Sequence, residues 1–295
     1  MTDFKSQMEL YSSLTEKGLA QYMNNNSIPA SLREVMNYSL FAGGKRLRPA
    51  LVLACAQMCG GNLEDAIPFA CGVEMIHTYS LIHDDLPALD NDDYRRGRLT
   101  SHKAFDEAKA ILAGDALLSY AFEIMLKEAL SSKKPENAIN ALDCLANAAG
   151  AQGMVAGQWV DVISEGKQID EKTLEYIHKN KTAALIIGSL KAGAFSAGAD
   201  LQSINDITVY GKELGLAFQI MDDILDVQGD SDVLGKPVGS DAANNKPTYV
   251  SLFGIPGAFE KAKQHTKLAI EALNSFGDKA DFLMKLAETM LIRNK

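Results

Sequence analysis

Apolar residues recur at three- and four-residue spacing through nearly every segment, whereas alternating apolar and polar runs bounded by hairpin turns are scarce. This pattern predicts an all-α fold. Gly, Pro, Asn and Ser clusters mark breaks at 24–30, 60–62, 87–97, 131–137, 164–170, 197–205, 229–245 and 254–257. None is long or polar enough for a domain linker, so 1–295 reads as a single domain. No fixed-period repeat is present, but one element, an Asp pair on an apolar helix, occurs twice.

The first occurrence, Leu81-Ile82-His83-Asp84-Asp85-Leu86-Pro87-Ala88-Leu89-Asp90-Asn91-Asp92-Asp93, gathers five carboxylates at the C-terminal end of an apolar helix. A helix C-terminus already carries partial negative charge and packed carboxylates repel, so the arrangement costs stability unless cations are present. Pro87 ends the regular helix and lets Asp90 fold back toward Asp84. The second occurrence is Phe218-Gln219-Ile220-Met221-Asp222-Asp223-Ile224-Leu225-Asp226, in which Gln219, Asp222 and Asp226 share one helix face. A solvated helix end would explain one such stretch. Two of them, both inside apolar helices, favour metal binding, since buried carboxylates are rarely left unpaired. An EF-hand starting at Asp90 fails for want of the glycine and terminal Glu at their required positions. Sparse hard oxygen ligands suit Mg²⁺ that keeps several waters and shares its shell with phosphate oxygens, which implies a polyphosphate substrate.

The net charge of −9 argues against a broad nucleic-acid footprint, yet local groups of cations remain available to a small anion. Gly43-Gly44-Lys45-Arg46-Leu47-Arg48-Pro49 precedes a long apolar helix, with glycines that allow close backbone approach to an anion. Arg95-Arg96-Gly97-Arg98 follows the first acidic cluster, Lys181-Thr182 opens a small-residue helix, and Lys236 and Lys246 lie beyond the second cluster. Each alone reads as surface charge; together, beside the carboxylates, they read as an anion site. His77 lies two helical turns before Asp84 on the same face, while His83 falls on another face and reads as structural. Six-residue spacing between these two suits no helical zinc pair. Cys55, Cys59, Cys71 and Cys144 form no CxxC pair and read as reduced, buried thiols of a cytoplasmic protein. The N-terminus has no signal-like segment, and the apolar stretch 182–199, interrupted by Lys191, reads as a core helix rather than a membrane span.

With these residues in place, the sequence resembles the trans-isoprenyl diphosphate synthase family, and within it the bacterial farnesyl and geranylgeranyl diphosphate synthases. The likeness runs from about Phe41 to the C-terminus and rests on the runs 43–49, 77–90, 95–97, 157–161, 181–182 and 218–226 and on Gly235-Lys236. It implies a single large helical bundle of the isoprenoid synthase type, with the two Asp motifs facing each other across a central cavity, usually in homodimers. It further implies that Lys45, Arg48, His77 and Arg96 hold isopentenyl diphosphate. Asp84, Asp90 and Asp222 would ligate Mg²⁺, three ions per site with substrate bound, with Asp85, Asp223 and Asp226 ligating or supporting. Arg95, Lys181 and Lys236 would grip the allylic diphosphate, dimethylallyl or geranyl, while Thr182 and Gln219 flank the reacting carbon. Lys246 is a further allylic-site cation on this reading.

The implied reaction is ionisation of the allylic C–O bond in a water-excluded pocket, attack by the isopentenyl double bond, and loss of a proton to the released diphosphate, since no side chain in these motifs is an obvious general base. Bulky residues upstream of the first Asp motif close the tunnel in this family, so Tyr79 implies a fifteen-carbon product. On an ideal helix Ser80, not Tyr79, lies beneath Asp84, so Ser80 and Ile76 remain alternative floors. The competing readings are a twenty-carbon synthase of the same family, a class I terpene cyclase, and a non-catalytic regulatory subunit. The intact Asp222-Asp223-Ile224-Leu225-Asp226 speaks against the last two.

Overall fold

The computed structural model describes residues 3–167, 169–228 and 248–292. Its helices follow as α1 (Phe4–Met23), α2 (Ala30–Leu40), α3 (Leu47–Met58), α4 (Leu63–Asp84), α5 (Ser101–Ala104), α6 (Glu107–Ser131), α7 (Pro135–Ala149), α8 (Met154–Ser164), α9 (Glu171–Ile177), α10 (Ala184–Ala197), α11 (Leu201–Gln228), α12 (Tyr249–Ala272) and α13 (Asp281–Leu291). A π-helical turn, His178–Ala183, joins α9 to α10, and a 3-10 segment, Asn274–Ala280, joins α12 to α13. The fold is all-α, as the periodicity predicts.

Most expected breaks separate helices, but two behave differently. At 254–257 Gly254 adopts φ 66° and ψ 166° with Pro256 just beyond, so α12 kinks there and continues. Within 87–97 the chain begins an element the periodicity did not announce: β1 (Tyr94–Arg95) pairs antiparallel with β2 (Arg98–Leu99). Arg96 and Gly97 between them have φ 53° and 74°, the left-handed pair that a two-residue hairpin turn of type I′ requires. The break at 229–245 lies outside the described residues.

Helices α4 and α10 are apolar on every side, and such helices belong at the centre of a bundle. Accordingly α4 packs against α3, α6 and α10, and α10 against α3, α7 and α11. Small residues let them approach: a Cβ on Gly193 would lie 2.1 Å from the Val52 carbonyl oxygen, and one on Gly188 2.5 Å from the Ala148 Cβ. Leu51, Phe69, Met75, Leu117 and Leu190 are fully buried between these helices, each contributing about 1.5–3 kcal/mol relative to exposure. A smaller cluster of Ile220, Met221 and Ile224 on α11 with Tyr249 and Ala258 on α12 underlies the second Asp motif. All four cysteines are free thiols. No described helix is long and apolar enough to cross a membrane.

The two ends of α4 differ in kind. At its start Asn62 caps the Glu64 N–H, and Glu64 and Asp65 complement the helix dipole. At its end stand Asp84 and Asp85, where the dipole opposes negative charge.

Candidate active site

Asp84 is the last residue of α4, and beyond Pro87 the chain returns so that the Asp90 N–H donates to the Asp84 carbonyl oxygen at 2.9 Å. The two carboxylates are thereby held near each other. Burial first, and the charges of Asp90 and Asp85 in addition, outweigh the opposing pull of Lys181 and Arg95 and push the Asp84 carboxyl up to about 6. Asp85 faces the hairpin, where Arg95 Nε donates to both of its carboxylate oxygens at 2.7 and 2.9 Å. Burial alone would weaken the Arg95 charge, but this forked contact prevails and holds the guanidinium above its ordinary value.

The opposite side of the site is built on the π turn, a helical form that recurs at functional positions. Two glycines bring neighbouring helices against it. A Cβ on Gly157 would sit 2.1 Å from the Lys181 nitrogen, and one on Gly215 2.4 Å from the Ala183 Cβ. One helical turn beyond each glycine comes a polar group: Asp161 pairs with Lys181 Nζ at 2.6 Å, and Gln219 Oε1 accepts from Thr182 Oγ1–H at 2.9 Å. Gln219 Nε2 in turn donates to Asp223 Oδ1 at 3.2 Å, and the Tyr249 N–H donates to Asp223 Oδ2 at 2.8 Å. Asp222 and Asp226 follow on the same helix, and the Asp222 charge is felt at Arg48. Asp161 is the residue the motif reading left without a role. Its signal was present, since Gly157 and Asp161 are spaced to share a helix face.

Arg48, His77 and Arg96 meet beside the C-terminal half of α4. Burial first, then the charges of Arg48, Arg96, Arg95 and Arg46, keep the His77 imidazole neutral, well below its ordinary value. Burial likewise pulls the Arg48 and Arg96 guanidinium groups down, so an anion placed among them recovers charge that the fold disfavours. Arg96 Nη1 donates to the Gly43 carbonyl oxygen, and a Cβ on Gly44 would lie 2.7 Å from the Arg96 guanidinium carbon. The paired glycines therefore seat an arginine in this structure, where the motif suggested direct approach to an anion. Lys45 follows them on an exposed stretch. Arg46 departs from its neighbours: it turns inward at φ 46°, is 3% exposed, and pairs with Glu74, Glu16 and the Leu40 carbonyl. Lys236 and Lys246, with Gly235, lie outside the described residues.

Between these groups opens a cavity of about 460 Å³. Asp84, Arg48, His77, Lys181 and Thr182 contribute its polar groups, and Tyr79, Leu89, Met154, Val155, Trp159 and Val162 its apolar wall. Ser80 lines it as well. An adjoining pocket of about 110 Å³ shares Lys181 and Thr182 and reaches Gln219 and Asp223. Among the described residues no three acidic, His or Cys side chains converge into a ready-made metal cage. The donor set instead fits a hard cation that draws its remaining ligands from water and substrate, because Asp84 and Asp90 crowd together and the Gln158 Oε1, which lines the same cavity as Asp84, is buried without a partner.

The model of the polyprenyl synthetase family matches residues 29–287 of this sequence. The chain belongs to the polyprenyl synthetase family. Its similarity to members of that family is high along nearly the whole length. It is 48% identical over 254 residues to the farnesyl diphosphate synthase of Geobacillus stearothermophilus, covering 86% of each chain. It is 46% identical over 268 residues to a chloroplastic geranylgeranyl pyrophosphate synthase of Catharanthus roseus, covering 90% of this chain and 75% of that one. The crystal structure of a geranyltransferase from Legionella pneumophila superposes with a TM-score of 0.88 at 34% identity, covering 98% of this chain and 97% of that one. Apart from Met154, Val155 and Val162, the residues gathered around the 460 Å³ cavity come from the motifs quoted above for the resemblance.

Proposed function

We propose that this chain is a farnesyl diphosphate synthase, a prenyltransferase that adds isopentenyl diphosphate head to tail to dimethylallyl and then geranyl diphosphate. The observation that carries the reading is the arrangement of one apolar cavity with Asp84, Lys181 and Thr182 at its polar end, Thr182 being hydrogen-bonded to Gln219 of the adjoining pocket. Close similarity to an established farnesyl diphosphate synthase supports it.

On this reading Arg48, His77 and Arg96, with Lys45, bind isopentenyl diphosphate. Lys181, positioned by Asp161, and Arg95, positioned by Asp85, bind the allylic diphosphate together with Lys236. Asp84, Asp90 and Asp222 hold Mg²⁺, with Asp85, Asp223 and Asp226 beside them. Bound Mg²⁺ neutralises diphosphate charge and so favours its departure. As the allylic C–O bond breaks, the diphosphate leaves with the electron pair, and the oxygens of Thr182 and Gln219 stabilise the allylic cation as fixed dipoles. The apolar wall offers water no hydrogen-bond partner beside the cation, so the isopentenyl double bond rather than water attacks it. Loss of the C2 proton of the isopentenyl unit to the released diphosphate restores neutrality at carbon. Tyr79 and Ser80, on the α4 side of the cavity, limit the chain at fifteen carbons. The working form is a homodimer of single-domain chains, as the family resemblance implies, in the cytoplasm, which the free thiols fit. Incubating the purified protein with Mg²⁺, labelled isopentenyl diphosphate and dimethylallyl diphosphate, then chromatographing the dephosphorylated alcohols, tests the reading. Farnesol supports it; a cyclised hydrocarbon or no product contradicts it.

A further inference from the structure

The cavity has two apolar sides that differ in how firmly they are held. On the inner side Tyr79 is 7% exposed and meets the His83 ring edge-on at 5.7 Å. His83 is itself fixed: its Nε2 lies 3.1 Å from the Ile111 carbonyl oxygen, and a Cβ on Gly114 would sit 2.2 Å from that nitrogen. This side cannot yield without moving α6.

The outer side is α8. Residues 157, 161 and 164 form the face that meets the π turn, whereas Val155, Trp159 and Val162 share another face and line the cavity. Trp159 is the only tryptophan in the sequence and is 66% exposed. An indole so little enclosed by its own chain has rotamer freedom that Tyr79 lacks. A growing hydrocarbon chain therefore meets one fixed ring and one adjustable ring. The geometry points to Trp159 as a determinant of product length, the outer wall against which the distal isoprene units pack while Tyr79 bounds the inner wall. This inference rests on the prenyltransferase reading above and adds to it a residue that the first Asp motif does not contain.

The test uses the full chain with Mg²⁺, geranyl diphosphate and labelled isopentenyl diphosphate. Trp159→Ala raises the ratio of twenty- to fifteen-carbon alcohol about tenfold, the scale at which apolar pockets discriminate by chain size. Trp159→Phe raises it less, and its folding is checked by circular dichroism should the alanine variant be unstable. Ile163→Ala, on the same helix but outside the cavity lining, leaves the ratio unchanged and controls for disturbance of α8. Because the protein has one tryptophan, titration with farnesyl diphosphate shifts the emission of the wild-type protein saturably. An unchanged product ratio in both Trp159 variants overturns the inference, as does wild-type emission indifferent to farnesyl diphosphate. Failure of the wild-type protein to extend geranyl diphosphate at all would instead overturn the functional reading.

Discussion

At Asp84 three unfavourable effects meet: a helix C-terminus, burial, and two neighbouring carboxylates. Residues of this kind are kept for chemistry, since an uncharged replacement would pack at lower cost. Asp84→Ala or Asp222→Ala is accordingly expected to leave the melting temperature unchanged or higher while lowering kcat about 10²–10³-fold, a drop read by initial rates. Asp161 acts through Lys181. Asp161→Asn keeps the shape but removes the charge partner, so it should raise KM for the allylic diphosphate about tenfold while sparing that for isopentenyl diphosphate. His178 gives a pH signature. Its ring is buried in a stack with Tyr249, and burial first lowers it to about 4. The unfolded imidazole takes up its proton near 6.5, so the contribution is whole above that pH, falls as pH drops toward 4, and changes no further below. Asp84, raised to about 6, works in the opposite direction over part of that range, so the His178 effect is isolated by comparing wild type with His178→Phe. The difference in unfolding free energy between them should tilt in favour of the variant as pH falls from 6.5 to 4.5, by up to about 1.4 kcal/mol per pH unit. At this scale the sequence exposed the Asp clusters because carboxylates are conspicuous in apolar helices. Residue type and spacing grouped Arg46 with Lys45 and Arg48; the resemblance left Arg46 out, and the fold supplies the reason in its pairing with Glu74.

Helix contacts set the second scale. Gly157 brings α8 onto the π turn, and its replacement by alanine would place a methyl group 2.1 Å from the Lys181 nitrogen. Gly157→Ala should lower stability by about 1–3 kcal/mol in chemical denaturation and depress kcat as well, because Lys181 and Thr182 move with the displaced turn. The helical periodicity disclosed most elements and the return of Asp90 past Pro87. The hairpin at 94–99 escaped it because two-residue strands carry no period, and the Arg96-Gly97 turn was read as charge rather than as backbone geometry. The π turn escaped too, since His178–Ala183 joins two helices without a glycine or proline to mark it. Likewise Gly254 and Pro256 read as an end when they make a kink.

For the molecule as a whole, the bundle puts the centrally packed α4 together with α8 and the π turn that leads into α10 around a cavity that no one of them could form alone. Leu112, Leu126 and Leu130 stand exposed on α6 and are the surface the proposed dimer would bury, so sedimentation is expected to show twice the 31.9 kDa chain mass. Trimming the inner wall with Tyr79→Ala should lengthen the products beyond fifteen carbons, and an unchanged limit would move the floor to Ser80 or Ile76. The central claim is tested most directly by one reaction, in which the purified chain receives Mg²⁺, geranyl diphosphate and labelled isopentenyl diphosphate, with a parallel sample in chelator. The account predicts labelled farnesyl diphosphate with metal and none without it; no labelled chain extension in either sample would contradict it.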